Sequence, residues 1–239
     1  MRIVAFCAAL VAAALAFCRI DAARAQGAAE NAHALLFSGF DIWRGGGFAN
    51  GGLLWAPQGL TEDGFTLKLM LGAGTYRYMS GATEITGRQY VASLLPGWHF
   101  KRDTLEVTVF AGPDAQQHQL SPDNPGNRLR GFHAGLRGGF DLWFEPVPAE
   151  MMVTGSLSAS TVGTNLWARA ATGWRTFDLV WLGPEAIAYG DENYRQFRVG
   201  LHATGLRTEA FEWSAGAGWG SDTDHRRGAY GRIGLLVRK

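Results

Sequence analysis

The chain has 239 residues, with 22 lysines and arginines against 21 aspartates and glutamates, for a formal net charge of +1. That balance leaves no electrostatic footprint for nucleic acid. Aliphatic and aromatic residues are too abundant for a disordered polymer, and the absence of any apolar run of about 18 residues beyond the start of the chain excludes a helical membrane protein.

Residues 1–25 have the form of a signal peptide. Arg2 precedes an apolar run from Ile3 to Cys18, and Ala23-Arg24-Ala25 has the small-x-small pattern of a cleavage site. Leu15 lies three residues before Cys18, as in lipid-anchored proteins, but the bulky Phe17 stands where a small residue is expected. Cleavage after Ala25 removes Cys7 and Cys18, so no disulfide or thiol nucleophile remains. It also removes Arg2, Arg19, Arg24 and Asp21, which turns the net charge from +1 to −1. A short lead-in, 26–33, then precedes a single domain over 34–239.

In chain order, that domain reads as a succession of strands. Weak candidates lie near 34–44 and 46–56. Phe65, Leu67, Leu69, Leu71 and Ala73 then alternate with Thr66, Lys68, Met70, Gly72 and Gly74. A segment at 87–100 carries Pro96, which predicts a bulge or a shorter strand because proline cannot donate to a ladder. Leu105, Val107 and Val109 alternate with Thr104, Glu106 and Thr108. Along GFHAGLRGGFDLWFEP, 131–146, even positions carry Phe132, Ala134, Leu136, Phe140, Leu142 and Phe144, while odd positions carry His133, Arg137, Asp141 and Glu145. Successive side chains of a strand point to opposite faces, so this stretch has one apolar face and one charged face. Met151, Val153, Leu157 and Ala159 oppose Thr154, Ser156, Ser158 and Ser160. Weaker segments follow at 165–176 and 179–190, the second with Pro184. Phe197, Val199, Leu201 and Ala203 oppose Arg198, His202 and Thr204. Phe211, Trp213 and Trp219 oppose Glu212 and glycines, and Ile233, Leu235 and Val237 oppose Tyr230 and Arg232.

These segments predict an all-β fold: a closed antiparallel transmembrane β-barrel of outer-membrane type with about twelve strands, between about ten and fourteen. Closure leaves no unpaired edge in hydrocarbon. Leu67, Val107, Leu136, Val199 and Phe211 are expected to face lipid. The turns 101–103, 147–150 and 207–209 are tight, whereas Pro113 to Arg130, centred on SPDNPGNR, reads as a long external connection. Pro57–Gly64 and Arg44–Gly46 depart from the short-inside, long-outside habit. Trp43, Trp55, Trp98, Trp167, Trp174 and Trp181 lie near segment ends, where an interfacial aromatic belt would sit. A soluble β-sandwich is the competing reading, and strands this long weigh against it.

The opposite face yields a lumen polar network of Asp41, Lys68, Glu106, His133, Arg137, Asp141, Glu145, Arg198, His202, Glu212 and Arg232. Enclosed charges must pair, so a structural ion-pair network is the first reading. A hydrolase acting on lipid A or glycan is the second, with His202, Thr204 and Glu212 as base, hydroxyl and orienting carboxylate. No histidine is followed two positions later by serine, the spacing associated with lipid A deacylase barrels. A general small porin is the third. Asp222, Asp224 and His225 adjoin Arg226 and Arg227 and have too few oxygen ligands for a calcium loop, so neither metal nor other cofactor is expected. GAGTYR and GAGWG lie within strands, with no following helix to bind phosphate.

LFSGFDIWRGGGFANGGLLWAP, GFTLKLMLGAGTYRY, PGWHFKRDTLEVTVFAG, PDNPGNRLRGFHAGLRGGFDLWFEP, WLGPEAIAYGDENYRQFRVGLHATGL and FEWSAGAGWGSDTDHRRGAYGR resemble the bacterial cellulose-biosynthesis protein BcsS family, from about Leu35 to Arg238. The resemblance implies an exported protein that serves cellulose synthesis or secretion. It brings no catalytic residues. The expected role is therefore a non-enzymatic outer-membrane accessory, whose partners are outer-membrane lipid, other components of cellulose synthesis and export, and the glucan chain itself. No helical repeat accompanies the barrel, unlike the usual cellulose exporter. Tyr76, Tyr78, Trp143 and Tyr230 offer faces on which a glucan could stack, unless they merely plug the lumen. The end of the chain, Val237-Arg238-Lys239, lacks the terminal aromatic residue common in outer-membrane barrels.

Overall fold

A computed structural model describes residues 32–239 except positions 193 and 209. The expected signal peptide and most of the lead-in lie outside the described residues. Twelve strands follow one another: β1 (Ala34–Trp43), β2 (Gly46–Trp55), β3 (Gly64–Ser80), β4 (Thr83–Arg102), β5 (Leu105–Ser121), β6 (Gly131–Val147), β7 (Met151–Ser160), β8 (Asn165–Thr176), β9 (Val180–Gly190), β10 (Arg195–Thr208), β11 (Phe211–Asp222) and β12 (Arg227–Arg238). Each pairs with its sequence neighbours in antiparallel fashion, and β1 pairs with β12 from Leu35↔Arg238 to Trp43↔Tyr230 to close the barrel. All twelve expected segments are strands. A single 3-10 turn, Val162–Thr164, is the sole helical element among the described residues.

The two faces follow the alternation. Leu69, Leu136, Val199, Leu201 and Ile233 are exposed on the outside, whereas Arg137, Arg198, His202 and Tyr230 are buried within. Leu67, Val107 and Phe211 are half-buried on the same outward parity. The end of the barrel that carries both chain termini has turns 103–104, 148–150 and 177–179, the short link from β10 to β11, and one longer connection, 56–63.

Three sequence expectations are corrected. Residues 113–121 are not loop but the second half of β5, paired through Asp114↔Gly135 and His118↔Gly131, so the connection between β5 and β6 is only 122–130. Pro96 and Pro184 neither bulge nor shorten their strands. The β4–β5 ladder skips from Ser93↔Asp114 to Gly97↔Phe110, and the β8–β9 ladder from Ala171↔Glu185 to Trp174↔Leu182, each in unbroken register. The missing N–H leaves an unpaired step on one side while the other neighbour remains paired. Register does shift between Thr204 and Leu206, where Gly205 adopts φ +85°, and between Phe144 and Val147. The third correction concerns tryptophan. Trp55, Trp98 and Trp174 face outward near the terminal end of the barrel, but Trp43 and Trp181 are buried inside, and Trp167 packs against an inner cluster of Trp43, Ile187 and Tyr230.

Strands β3 to β6 outrun their neighbours at the end away from the termini. Pairing of β2 with β3 stops at Thr75 and pairing of β6 with β7 stops at Arg137, so 76–80 and 131–136 belong to a projecting wall.

Candidate functional site

The lumen is organised around four ionic groups. Asp114, whose side chain is 0% exposed, accepts five hydrogen bonds. Its Oδ1 receives Ser93 Oγ at 2.6 Å and Arg137 Nε at 3.0 Å; its Oδ2 receives Ser160 Oγ at 2.6 Å, Gln116 Nε2 at 2.7 Å and Arg137 Nη2 at 3.1 Å. Four adjacent strands, β4 to β7, meet on one carboxylate. Glu185 on β9 is equally enclosed. Its Oε2 accepts from Arg169 Nε at 2.9 Å and Arg232 Nη2 at 2.6 Å, and its Oε1 accepts from Arg232 Nε and the Tyr230 hydroxyl, both at 3.0 Å.

The other two pairs are half-shielded and lean on rings. Arg198 Nη1 donates to both Asp41 oxygens at 2.6 and 2.7 Å, and its guanidinium lies over Trp43 and Tyr230. Lys68 Nζ donates to Asp141 Oδ2 at 2.8 Å and sits 4.5 Å from the Phe110 ring centre. A charge desolvated by aromatic faces keeps part of its stabilisation from the ring quadrupole.

The remaining expected lumen residues lie towards the ends. Glu106 pairs with Lys101 at 3.2 Å, Glu212 pairs with Arg238 and Arg207, and Glu145 accepts from Trp143 Nε1 and the Ala149 amide. His133 lies near the opposite mouth, its ring 6.4 Å from that of His118. The proposed base, hydroxyl and carboxylate are only partly brought together. His202 Nε2 donates to the Thr172 carbonyl at 3.1 Å, which leaves Nδ1 to accept from Thr204 Oγ1 at 2.9 Å. Glu212 is held instead by the two arginines.

Four central residues escaped the sequence reading: Asp114, Gln116, Arg169 and Glu185. Asp114 and Gln116 fell in the stretch read as loop, although they share parity with Glu106 and Thr108 on the same strand. Glu185 follows Pro184 and shares its parity with the apolar Trp181 and Ile187, which hid it.

The four candidate stacking residues are all engaged. Tyr230 is buried on Glu185, and Trp143 meets the edge of Trp181 at 6.3 Å. Tyr76 and Tyr78 lie side by side on the projecting wall, with ring centres 6.1 Å apart and planes 22° from parallel. The Tyr76 hydroxyl donates to His118 Nδ1 at 3.1 Å, His118 Nε2 donates to Gln116 Oε1 at 3.1 Å, and Gln116 donates to Asp114. One hydrogen-bonded chain thus anchors a ring at the mouth to the ionic cluster below. The space between Tyr76, Tyr78, Asp191, Tyr194, Asn127 and Leu129 amounts to about 10 Å³, no more than a single water needs.

The sequence model of the family described as "Cellulose biosynthesis protein BcsS" matches residues 35–239. No curated protein matches the chain. Among solved structures, the KdgM porin is similar at 10% identity, over 85% of this chain and 98% of that one, with a TM-score of 0.45. The translocator domain of autotransporter NalP from Neisseria meningitidis is similar at 15% identity, over 87% of each chain, with a TM-score of 0.46. LpxR from Salmonella typhimurium is similar at 12% identity, over 85% of this chain and 99% of that one, with a TM-score of 0.45. At such identities no residue role is carried over.

Proposed function

The chain belongs to the cellulose biosynthesis protein BcsS family, and from that premise we propose a non-catalytic accessory of cellulose biosynthesis and secretion, exported by residues 1–25 and seated in the outer membrane. The apolar exterior of a closed sheet supports the membrane seat, because lipid can cover it and no backbone edge is left unpaired. One observation carries the accessory role: the lumen is crossed by enclosed ion pairs, Glu185 with Arg169 and Arg232 above all. A solute channel needs a path of water along its axis, and charges paired across the lumen work against one.

The contact between His202 and Thr204 favours the hydrolase as a second reading. Three features weigh against it. His202 is 2% exposed, its other nitrogen is committed to a backbone carbonyl, and among the described residues its hydrogen bonds go to Thr172 and Thr204 and to no carboxylate. A glycosidase fits no better. Retaining and inverting enzymes hold two carboxylates ~5–9.5 Å apart across the substrate. Asp141 and Glu145 are four residues apart on one strand, ~13 Å at a rise of about 3.3 Å per residue, and Asp141 is bound to Lys68.

The test is a deletion strain in which the cellulose synthase is active. Loss of extracellular cellulose, with unchanged lipid A and unchanged solute uptake, is the expected result. Normal cellulose would overturn the accessory role, altered lipid A would point to the hydrolase, and altered uptake to a porin.

A further inference from the structure

The external connection 122–130 folds mainly on itself. Arg130 Nε pairs with Asp123 Oδ1 at 2.7 Å, the Asn127 amide donates to the Asn124 carbonyl at 3.1 Å, and the Leu129 amide donates to Asn127 Oδ1 at 2.8 Å. It is held to the barrel by three neutral hydrogen bonds and one buried side chain, Leu129. Asn124 Nδ2 and Asn127 Nδ2 both donate to the Tyr78 hydroxyl, at 3.1 and 2.7 Å, Asn124 also donates to Ser80 Oγ, and the Leu129 side chain rests on Gly163. At its far end stands Gly131, with φ +95° and no neighbour within 4 Å of where a Cβ would lie. A self-contained segment with few anchors and a glycine at its edge is built to move as a unit.

Beneath it, Tyr76 and Tyr78 form one wall and Tyr194 the other. The hydroxyls of Tyr76 and Tyr194 are held from behind, by His118 Nδ1 at 3.1 Å and by Asp222 Oδ2 at 3.2 Å. What these two rings offer to an incoming molecule is therefore their faces. Gly87 lies directly against the outer face of Tyr76, where a Cβ would come within 2.2 Å of the ring, so only the inner face is available. Below, the Asp114 cluster closes the floor.

We propose that 122–130 is a lid over a blind, tyrosine-walled slot that binds a stretch of neutral, extended glucan chain at the external mouth. The inference rests on the cellulose reading above and adds to it a ligand class and a location. Pyranose rings carry apolar C–H faces that stack on aromatic rings, and the Tyr76–Tyr78 pair provides two such platforms in a row, at a spacing comparable to that of consecutive sugar rings. Fixed hydroxyls keep both platforms in place before the sugar arrives, which lowers the ordering cost of binding. Asp191, at the edge of the slot, disfavours an anionic polysaccharide. In the closed state the two asparagines and Leu129 cover the slot, so affinity is reduced by the fraction of time that the lid is shut.

The experiment is calorimetric titration of the purified, micelle-embedded barrel with cellohexaose, using heat-modifiable gel mobility to confirm that each variant is folded. Tyr78→Phe keeps the ring but removes the acceptor of both asparagine bonds, and should tighten binding about threefold or more. Tyr76→Ala with Tyr194→Ala should weaken it about tenfold or more. Residues 26–239 contain no cysteine, so Ser80→Cys with Asn124→Cys provides a clean lock: oxidation should abolish binding and reduction restore it. Absence of binding by both the native chain and Tyr78→Phe overturns the site, as does binding that survives the oxidised lock. Oligogalacturonate binding as tightly as cellohexaose overturns the ligand class. The deletion strain reads cellulose outside cells and the titration reads binding by the isolated barrel, so each can fail without the other.

Discussion

Replacing Glu185 with glutamine keeps the shape of the side chain and removes its charge, leaving Arg169 and Arg232 to face each other in the lumen. Glu185 receives its hydrogen bonds from Arg169 at 2.9 Å, from Arg232 at 2.6 to 3.0 Å and from Tyr230 at 3.0 Å, with its side chain 0% exposed. Hydrogen bonds to charged groups contribute about 1.5–3 kcal/mol each, and stripping one partner from a buried pair costs about 3–5 kcal/mol. The amide also turns an NH₂ towards a guanidinium. Glu185→Gln should therefore lower folding stability by about 3–5 kcal/mol. The assay is reversible urea unfolding of the barrel in detergent, extrapolated linearly to water. Combining it with Arg169→Met should cost at least about 1 kcal/mol less than the sum of the single changes, because the second change removes one of the stranded charges. A loss below about 1 kcal/mol for Glu185→Gln, or strict additivity in the double variant, would refute the claim that these residues act as one enclosed cluster.

Gly216→Ala should destabilise the barrel by about 1–3 kcal/mol in the same assay, since a Cβ there lies 2.2 Å from Glu185 Oε1, while Gly231→Ala on the outer face, with nothing closer than 3.8 Å, should change stability by less than about 0.5 kcal/mol. Leu69 and Val199 are exposed on the outer face, and arginine at either site should cost ~2–4 kcal/mol of membrane stability; intact heat-modifiable mobility and insertion for both variants would reverse the face assignment. In planar bilayers the protein should conduct ions poorly, and large stable porin-like steps would contradict a lumen closed by paired charges. Asp63, in connection 56–63, accepts from Arg102 Nη1 at 2.5 Å and from the Lys101 amide, and the Arg102 bond holds its carboxyl below the ordinary value of 3.8. A depressed carboxyl stabilises the folded form above about pH 4 and loses that effect as pH falls through its folded value. Resonances of 56–63 should therefore shift below about pH 4 in the native chain, and Asp63→Asn should abolish the shift.

The barrel was legible because its outer face is apolar where its inner face is polar, so simple parity marks a strand. Parity fails where both faces meet water. Beyond Pro113, β5 alternates Ala115, Gln117 and Gln119 with Asp114, Gln116 and His118, a polar stretch on both sides that carries no amphipathic signal. Proline misled for a different reason. The strand through Pro96 keeps its pairing to β3 and forgoes a few pairs towards β5, where Pro113 faces the same gap, and register survives because the pairs on either side of the gap hold it. Tryptophan was ambiguous in principle. Position near a strand end is shared by an interfacial ring such as Trp98 and a lumen ring such as Trp43, and only parity with Phe37 and Asp41 separates them. Of the lumen network, sequence supplied charges but not partners. Asp41 meets Arg198 across 157 residues and Lys68 meets Asp141 across 73, and no local pattern encodes such pairs.

Those long-range pairs also bear on how a polymer can meet this barrel. Asp41 to Arg198, Lys68 to Asp141 and Glu185 to Arg232 each join strands three apart around the wall, so each is a chord across the lumen and not a rung along it. A glucan threaded through the barrel would have to part several chords at once. Breaking the one fully enclosed chord, Glu185 to Arg232, would alone cost about 3–5 kcal/mol. Neutral sugar hydroxyls return only about 0.5–1.5 kcal/mol per hydrogen bond, and cannot replace an ionic partner. Lifting 122–130 breaks two neutral bonds to Tyr78 and one to Ser80 and exposes the buried Leu129 side chain, at about 1.5–3 kcal/mol for that side chain, and leaves every chord intact. The energetics thus separate the two readings: passage is opposed by paired charge across the lumen, whereas the proposed contact at the mouth requires only the loop 122–130 to lift, with every chord left in place.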